Sequence, residues 1–275
     1  MGYKDNFKVV TKTLSNNILL AATSFKRFDK INFGNRMAIF KYPSGSPDSV
    51  IPRLIIWSPL PYSPNVLNVI NEFSGVSSES NLDIAYVIVP DREHNLAAKL
   101  YKEKFPNTKI IGVENTENVP LDYTFIEKQG NKLISGETLK EFIDDELIYK
   151  NFDFVYLPYH ANSELVVYEK NSKTLFEADL LFNLGDPNEK LEQFSPALGY
   201  PENYNPHFGW SFLTRYLQPY SKVGVFMFDK LVNLNKSKPG LEAIYSLDFN
   251  TIVMCHGNII TKDAKKAFKN VFLHS

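Results

Sequence analysis

Apolar residues first recur in short runs broken by turn residues, and only later at helical spacing. Val9 to Thr13, Ile18 to Ala22 and Met37 to Tyr42 are short, apolar-rich and separated by Asn, Gly and Pro, which predicts three strands. Arg53-Leu-Ile-Ile-Trp-Ser58 is nearly all apolar, as in a strand covered on both faces. From Pro64 to Phe73 the period changes: Val66, Val69, Ile70 and Phe73 mark a helix with Ser63 as its cap. A further apolar run ends at Pro90, and His94 is expected to open a helix carrying Leu96, Ala97, Leu100 and Tyr101. Lys109 to Gly112 adds a strand. The middle predicts strands at Lys132 to Ile134, Phe152 to Leu157, Glu164 to Tyr168 and Thr174 to Ala178, with a turn at Asn171-Ser172-Lys173. The acidic run Glu141 to Glu146 reads as a solvated helix face. From about Leu184 to Gly240 Pro, Asn and aromatics accumulate, with helical stretches at Trp210 to Tyr216 and Val223 to Leu234. Ser246 to Met254 predicts a closing strand and Lys262 to Phe272 an amphipathic helix.

Neither a repeat nor a linker interrupts this order, so one α/β domain over 1–275 is expected, with an aromatic, Pro-rich insertion at about 184–240. Hydrophobic residues at 44% against 22% charged place the chain among globular proteins. A net charge of -1 gives no electrostatic footprint for nucleic acid. The single cysteine, Cys255, rules out a disulfide framework and fits a reducing compartment. No apolar run approaches the roughly 20 residues that span a bilayer, and the start lacks a signal-peptide apolar region. The expectation is a cytoplasmic or nuclear protein with neither nucleic acid nor membrane as partner.

Candidate chemistry sits at strand ends. His94, His160, Asp179 and His256 each follow or end an apolar run, and three of the five histidines share this context. Strand ends let a rigid scaffold aim side chains at a common point, and two or three histidines with a carboxylate suit zinc or iron. Each also has a structural reading: a turn histidine for His160, a packed one for His94, a helix cap for Asp179, and a Gly-dependent turn for His256-Gly257. Cys255 and His256 are adjacent, so they should face opposite ways, and Cys255 reads as a buried small hydrophobe rather than a nucleophile. His207 reads as packing and His274 as a terminus. No Gly-x-Gly-x-x-Gly or Walker sequence supports nucleotide binding.

In order and context these motifs resemble the metallo-β-lactamase fold superfamily, as a divergent branch. Val87-Ile-Val-Pro-Asp-Arg-Glu-His94, its helix and Phe105-Pro-Asn-Thr-Lys-Ile-Ile-Gly112 resemble the superfamily's first metal motif, His-x-His-x-Asp-His. Leu157-Pro-Tyr-His160 with the strand after it resembles the histidine turn. Leu175-Phe-Glu-Ala-Asp179 resembles the strand of the bridging aspartate, and Asp248 to Gly257 the final histidine motif. The resemblance spans roughly Leu19 to Leu273 and implies a four-layer αββα sandwich. It also implies a degenerate site. Val89 and Asp91 stand where the first two histidines belong, and Glu93 replaces the aspartate. One metal site would keep only His160. The other would keep His94, Asp179 and His256, with Glu93 and Asp91 as optional ligands or as general bases.

The resemblance therefore implies zinc or iron, one ion at most, and a hydrolase of a small-molecule ester, thioester, amide or phosphoester. The alternative is a non-catalytic binding protein on the same fold. The aromatic segment Tyr200 to Trp210 is expected as a lid or pocket wall.

Overall fold

The protein is described here as a computed structural model covering residue 3 and residues 6–45, 49–186 and 189–273; His274 lies outside them. In chain order the strands are β1 (Val10–Ser15), β2 (Ile18–Thr23), β3 (Lys26–Arg27), β4 (Ile31–Asn32), β5 (Asn35–Tyr42), β6 (Arg53–Trp57), β7 (Asp83–Ile88), β8 (Lys109–Val113), β9 (Tyr123–Phe125), β10 (Leu133–Ile134), β11 (Phe152–Leu157), β12 (Glu164–Glu169), β13 (Thr174–Glu177) and β14 (Thr251–Met254). The α-helices are α1 (Pro64–Ser74), α2 (Ala98–Lys104), α3 (Gly136–Phe142), α4 (Glu146–Tyr149), α5 (Lys222–Leu231), α6 (Leu234–Ser246) and α7 (Ala264–Phe272).

Two sheets stack face to face. The first runs β1-β2-β5-β6-β7-β8-β9 and the second β10-β11-β12-β13-β14; β3 and β4 form a separate hairpin. In the first sheet β1, β2, β5 and β6 pair antiparallel and β6 to β9 parallel. The second is antiparallel except where β13 pairs parallel with β14. Aromatic side chains from both inner faces fill the gap: the Phe176 ring lies 5.0 Å from Phe40 and 5.5 Å from Trp57, all three buried. Val66 and Ile70 of α1 and Ala98 and Tyr101 of α2 cover the outer face of the first sheet, meeting Leu54, Ile56 and Val87. Residues of α6 and α7 cover the second, where Leu241, Ile244 and Phe268 meet Val155 and Ile252. This is the four-layer αββα sandwich, and it exists because each sheet has one face to bury inward and one to bury under helices.

Several predicted boundaries move for identifiable reasons. The helix expected from His94 begins at Ala98, because Asp91 accepts hydrogen bonds from the backbone N–H groups of Glu93 and His94 and holds 91–94 as a turn. The acidic run divides between α3 and α4, with Asp145 capping Leu147. Ser246, expected in a strand, ends α6, and the strand starts at Thr251. Trp210 to Tyr216 lies within a 3-10 helix, Gly209–Tyr216. No helix among the described residues is long and apolar enough to cross a membrane.

Candidate metal centre

The sheets bring the predicted residues to one edge. Glu177 pairs in register with Met254 across the parallel β13–β14 contact, so Asp179 and His256, two residues further along each chain, leave the sheet side by side. Backbone bonds tie in the other loops: Leu165 N–H donates to Pro90 O at 2.7 Å, and Arg92 N–H to Asn162 O at 3.1 Å. The final histidine motif turns at Gly257, whose φ of 99° suits glycine and where a Cβ would run into the Asn183 carbonyl.

His94, Asp179 and His256 each offer a ligand atom within 4.8 Å of the others. Their orientation is set by neighbours. Both Asp91 oxygens lie 2.9–3.0 Å from His94 Nδ1. His256 Nδ1 donates to the Gly34 carbonyl at 2.8 Å. A carbonyl can only accept, so His256 Nδ1 carries a proton, and Nε2 is turned to the centre, 3.0 Å from Asp179 Oδ1, which it can reach as a second donor. Asn162 Nδ2 donates to the other Asp179 oxygen at 2.5 Å. Two histidines with Nδ1 anchored and one fixed carboxylate form the donor set that zinc or iron takes, so these residues fit a single ion.

Burial and charge shape the titration. Burial opposes charge on His94, but Asp91, Cys255 and Asp179 outweigh it and hold its pKa well above the usual histidine range. Asp179 is also buried, which favours its neutral form, yet the histidines around it bring its pKa far below the usual carboxylate value. Burial, then the nearby carboxylates, pushes Glu164 well up, although it accepts from Ala178 and Asp179 N–H groups.

The remaining predicted residues have distinct places. Asp91 is fully buried with both oxygens engaged by His94 and its turn. Glu93 is exposed and lines a cavity of about 400 Å³ beside His94 and His256. Val89 is buried in the outer core. His160 is buried and lies outside the three-residue cluster. Its Nδ1 accepts from Asn162 N–H at 3.3 Å, which leaves the proton of the neutral ring on Nε2. Burial lowers its pKa against the pull of Asp179. Cys255 is buried in the inter-sheet core, its Sγ 3.1 Å from Ser58 Oγ.

The cavity wall was not legible in the sequence. No residue of 200–210 lines this cavity, so the expected aromatic lid is not its wall. The β3–β4 hairpin takes that place with Lys26, Arg27, Phe28 and Asp29, and the aromatic segment buttresses it. Asn32 N–H donates to Ser211 Oγ at 2.8 Å, and Asn32 Nδ2 to Tyr204 OH and the Pro206 carbonyl. His207, read as packing, pairs with Thr214 Oγ1 at 2.8 Å. Tyr3 also lines the cavity, its pKa pushed up to about 12 by burial, so it stays a neutral phenol. A second unanticipated group holds the His256 turn. Buried Arg36 donates to the Met254 and Gly257 carbonyls and pairs with Glu192, while Gln193 bonds Cys255 O and Gly257 N.

No protein-family model matches the sequence, and no curated protein matches it significantly. Solved structures do match along nearly the whole chain. The chain has the metallo-β-lactamase fold. Similar structures include a metallo-β-lactamase from Hirschia baltica, at TM-score 0.57 and 10% identity over 97% of each chain. The mono-zinc form of FIM-1 from Pseudomonas aeruginosa aligns at TM-score 0.55 and 9% identity, over 98% of this chain and 96% of that one. DIM-1 metallo-β-lactamase exposed to ceftazidime aligns at TM-score 0.55 and 10% identity over 97% of each.

Proposed function

We propose that the chain is a hydrolase with a single-ion centre held by His94, Asp179 and His256, acting on an ester, thioester or phosphoester. The observation that carries this reading is the anchoring of both histidines through Nδ1, with His256 Nε2 3.0 Å from Asp179 Oδ1 and all three residues offering ligand atoms within 4.8 Å of one another. Side chains that merely pack do not need two such anchors. Zinc or iron bound there would supply a Lewis acid that polarises a carbonyl or phosphoryl oxygen and acidifies water. The chain's own residues divide the rest of the work. Asp91 is a positioning residue that orients His94. Glu93, which lines the cavity, would be the base that accepts a proton from attacking water. The cavity admits a small molecule, with Phe25 and Phe28 offering apolar contact and Lys26 and Arg27 positive charge. His160 stays outside the ligand set because its ring proton faces the wrong way.

A second reading has its own observation: Asp91 with His94, and Asp179 with His256, already close as hydrogen-bonded pairs. A binding protein that kept the fold without the chemistry would show the same pairs. Elemental analysis of the purified protein beside a His94→Ala/His256→Ala double variant separates the two. About one zinc or iron per chain, lost in the variant, supports the metal centre. A wild type that takes up no zinc, iron or manganese on incubation sinks it.

A further inference from the structure

Several large hydrophobic side chains are exposed on neighbouring elements. Phe208 is 81% exposed, Trp210 78%, Leu213 68% and Phe226 59%. Phe208 caps the 3-10 helix Gly209–Tyr216, Trp210 and Leu213 lie on it, and Phe226 lies on α5, which packs against it. The β3–β4 hairpin joins this face, since Lys30 Nζ lies 5.6 Å from the centre of the Trp210 ring. The hairpin tip carries Phe28, 74% exposed, which also lines the cavity containing His94 and His256. The apolar face therefore reaches the mouth of the candidate site.

Its charge is predominantly basic. From Asn203 to Phe228 the chain has no Asp or Glu but has Arg215 and Lys222; Lys30 and Lys230 flank it, each with one acid beside it, Asp29 and Asp229. The cations sit beside the rings rather than apart from them: Arg215 Cζ lies 4.3 Å from the Phe212 ring centre and Lys230 Nζ 5.4 Å from that of Phe226. Exposed aromatic and aliphatic side chains rimmed by Lys and Arg match the boundary between acyl chains and anionic headgroups. The same charge disfavours a second copy of the chain. A two-fold contact would bring these cations against their own copies, with fewer acids than cations on the face to answer them.

We propose that this face docks on an anionic phospholipid surface, lying on the bilayer and setting the cavity mouth at the headgroups. The apolar side chains would enter the boundary region, and Lys30, Arg215, Lys222 and Lys230 would meet phosphate and carboxylate groups. Docking needs no ion at the histidine cluster, so it stands or falls apart from the hydrolase reading.

Vesicle co-sedimentation tests it, using phosphatidylcholine alone and phosphatidylcholine mixed with phosphatidylserine. The wild type should bind the mixed vesicles at least about tenfold more tightly, with the difference shrinking in high salt. Tryptophan emission gives a second readout. Trp57 is fully buried, so a blue shift on adding vesicles reports Trp210. Two variants, Trp210→Ser/Phe226→Ser and Lys222→Glu/Lys230→Glu, should each lose about tenfold in binding while keeping the wild-type melting temperature. Equal sedimentation of the wild type with and without phosphatidylserine, or an unshifted emission, overturns the proposal. So does a concentration-dependent dimer that Trp210→Ser abolishes, which would reassign the face to a second copy.

Discussion

The decisive residue in the centre is one that does not touch it. Asp91 engages His94 Nδ1 with both carboxylate oxygens, which leaves Nε2 as the ring nitrogen available to another partner. Asn at this position keeps an acceptor for the Glu93 and His94 N–H groups but can offer its amide to Nδ1. The imidazole proton then moves to Nε2, the atom an ion needs. Asp91→Asn should therefore weaken zinc binding by about 10- to 100-fold with little change in melting temperature, measured by calorimetric titration and thermal denaturation. Unchanged affinity would mean that His94 is not oriented in this way. At this scale the sequence was partly legible. His94, Asp179 and His256 stood out because each ends an apolar strand, and the structure brings those three together. His160 stood out for the same reason, yet its ring faces Asn162 N–H, a contact that no spacing reveals. Gly34, whose carbonyl fixes His256, carries no signal in the sequence, because a backbone carbonyl belongs to every residue.

Among the elements, β6 and α4 are joined by a charge network that the pattern of charges concealed. Asp145 takes a bidentate pair from Arg53, with N–O distances of 3.1 and 2.8 Å, and also accepts from Tyr86 OH and Leu147 N–H. Burial favours its neutral form, but these donors prevail and hold its pKa below the usual carboxylate value. A depressed carboxylate contributes stability that is present above its unfolded pKa and lost as pH falls through the folded one. Asp145→Asn should thus unfold at lower urea than the wild type near neutral pH. The gap between them should close as pH drops below about 4. A gap that stays constant would show that the pair contributes through packing alone. In the sequence the run Glu141 to Glu146 reads as a solvated helix face, since nothing local distinguishes a carboxylate that meets Arg53 from one that meets water. The start of α2 moved for a similar reason: the Asp91 turn depends on a side chain competing for backbone N–H groups, which periodicity does not weigh.

The whole molecule depends on the two sheets staying stacked. Phe176 reaches across from β13 to both Phe40 and Trp57, and it is fully buried. Phe176→Ala should cost about 4 kcal/mol of folding stability, read from denaturant unfolding, and should loosen the edge where Asp179 and His256 emerge. A loss under about 1 kcal/mol would mean that the sheets hold together without it. Strand runs, their order and the residues ending them were fixed locally, because burial between two layers demands continuous apolar runs whatever the register. The αββα arrangement could thus be expected from the sequence through its resemblance to other chains, and three of its four strand-end residues meet at the sheet edge. Only the tertiary structure decided which residue walls the cavity, which carboxylate orients a histidine and which apolar side chains remain uncovered. The sequence reading expected no membrane partner, and the proposed lipid-facing surface departs from it. Exposure is a property of what packs over a residue, and that packing comes from chain segments far away in sequence.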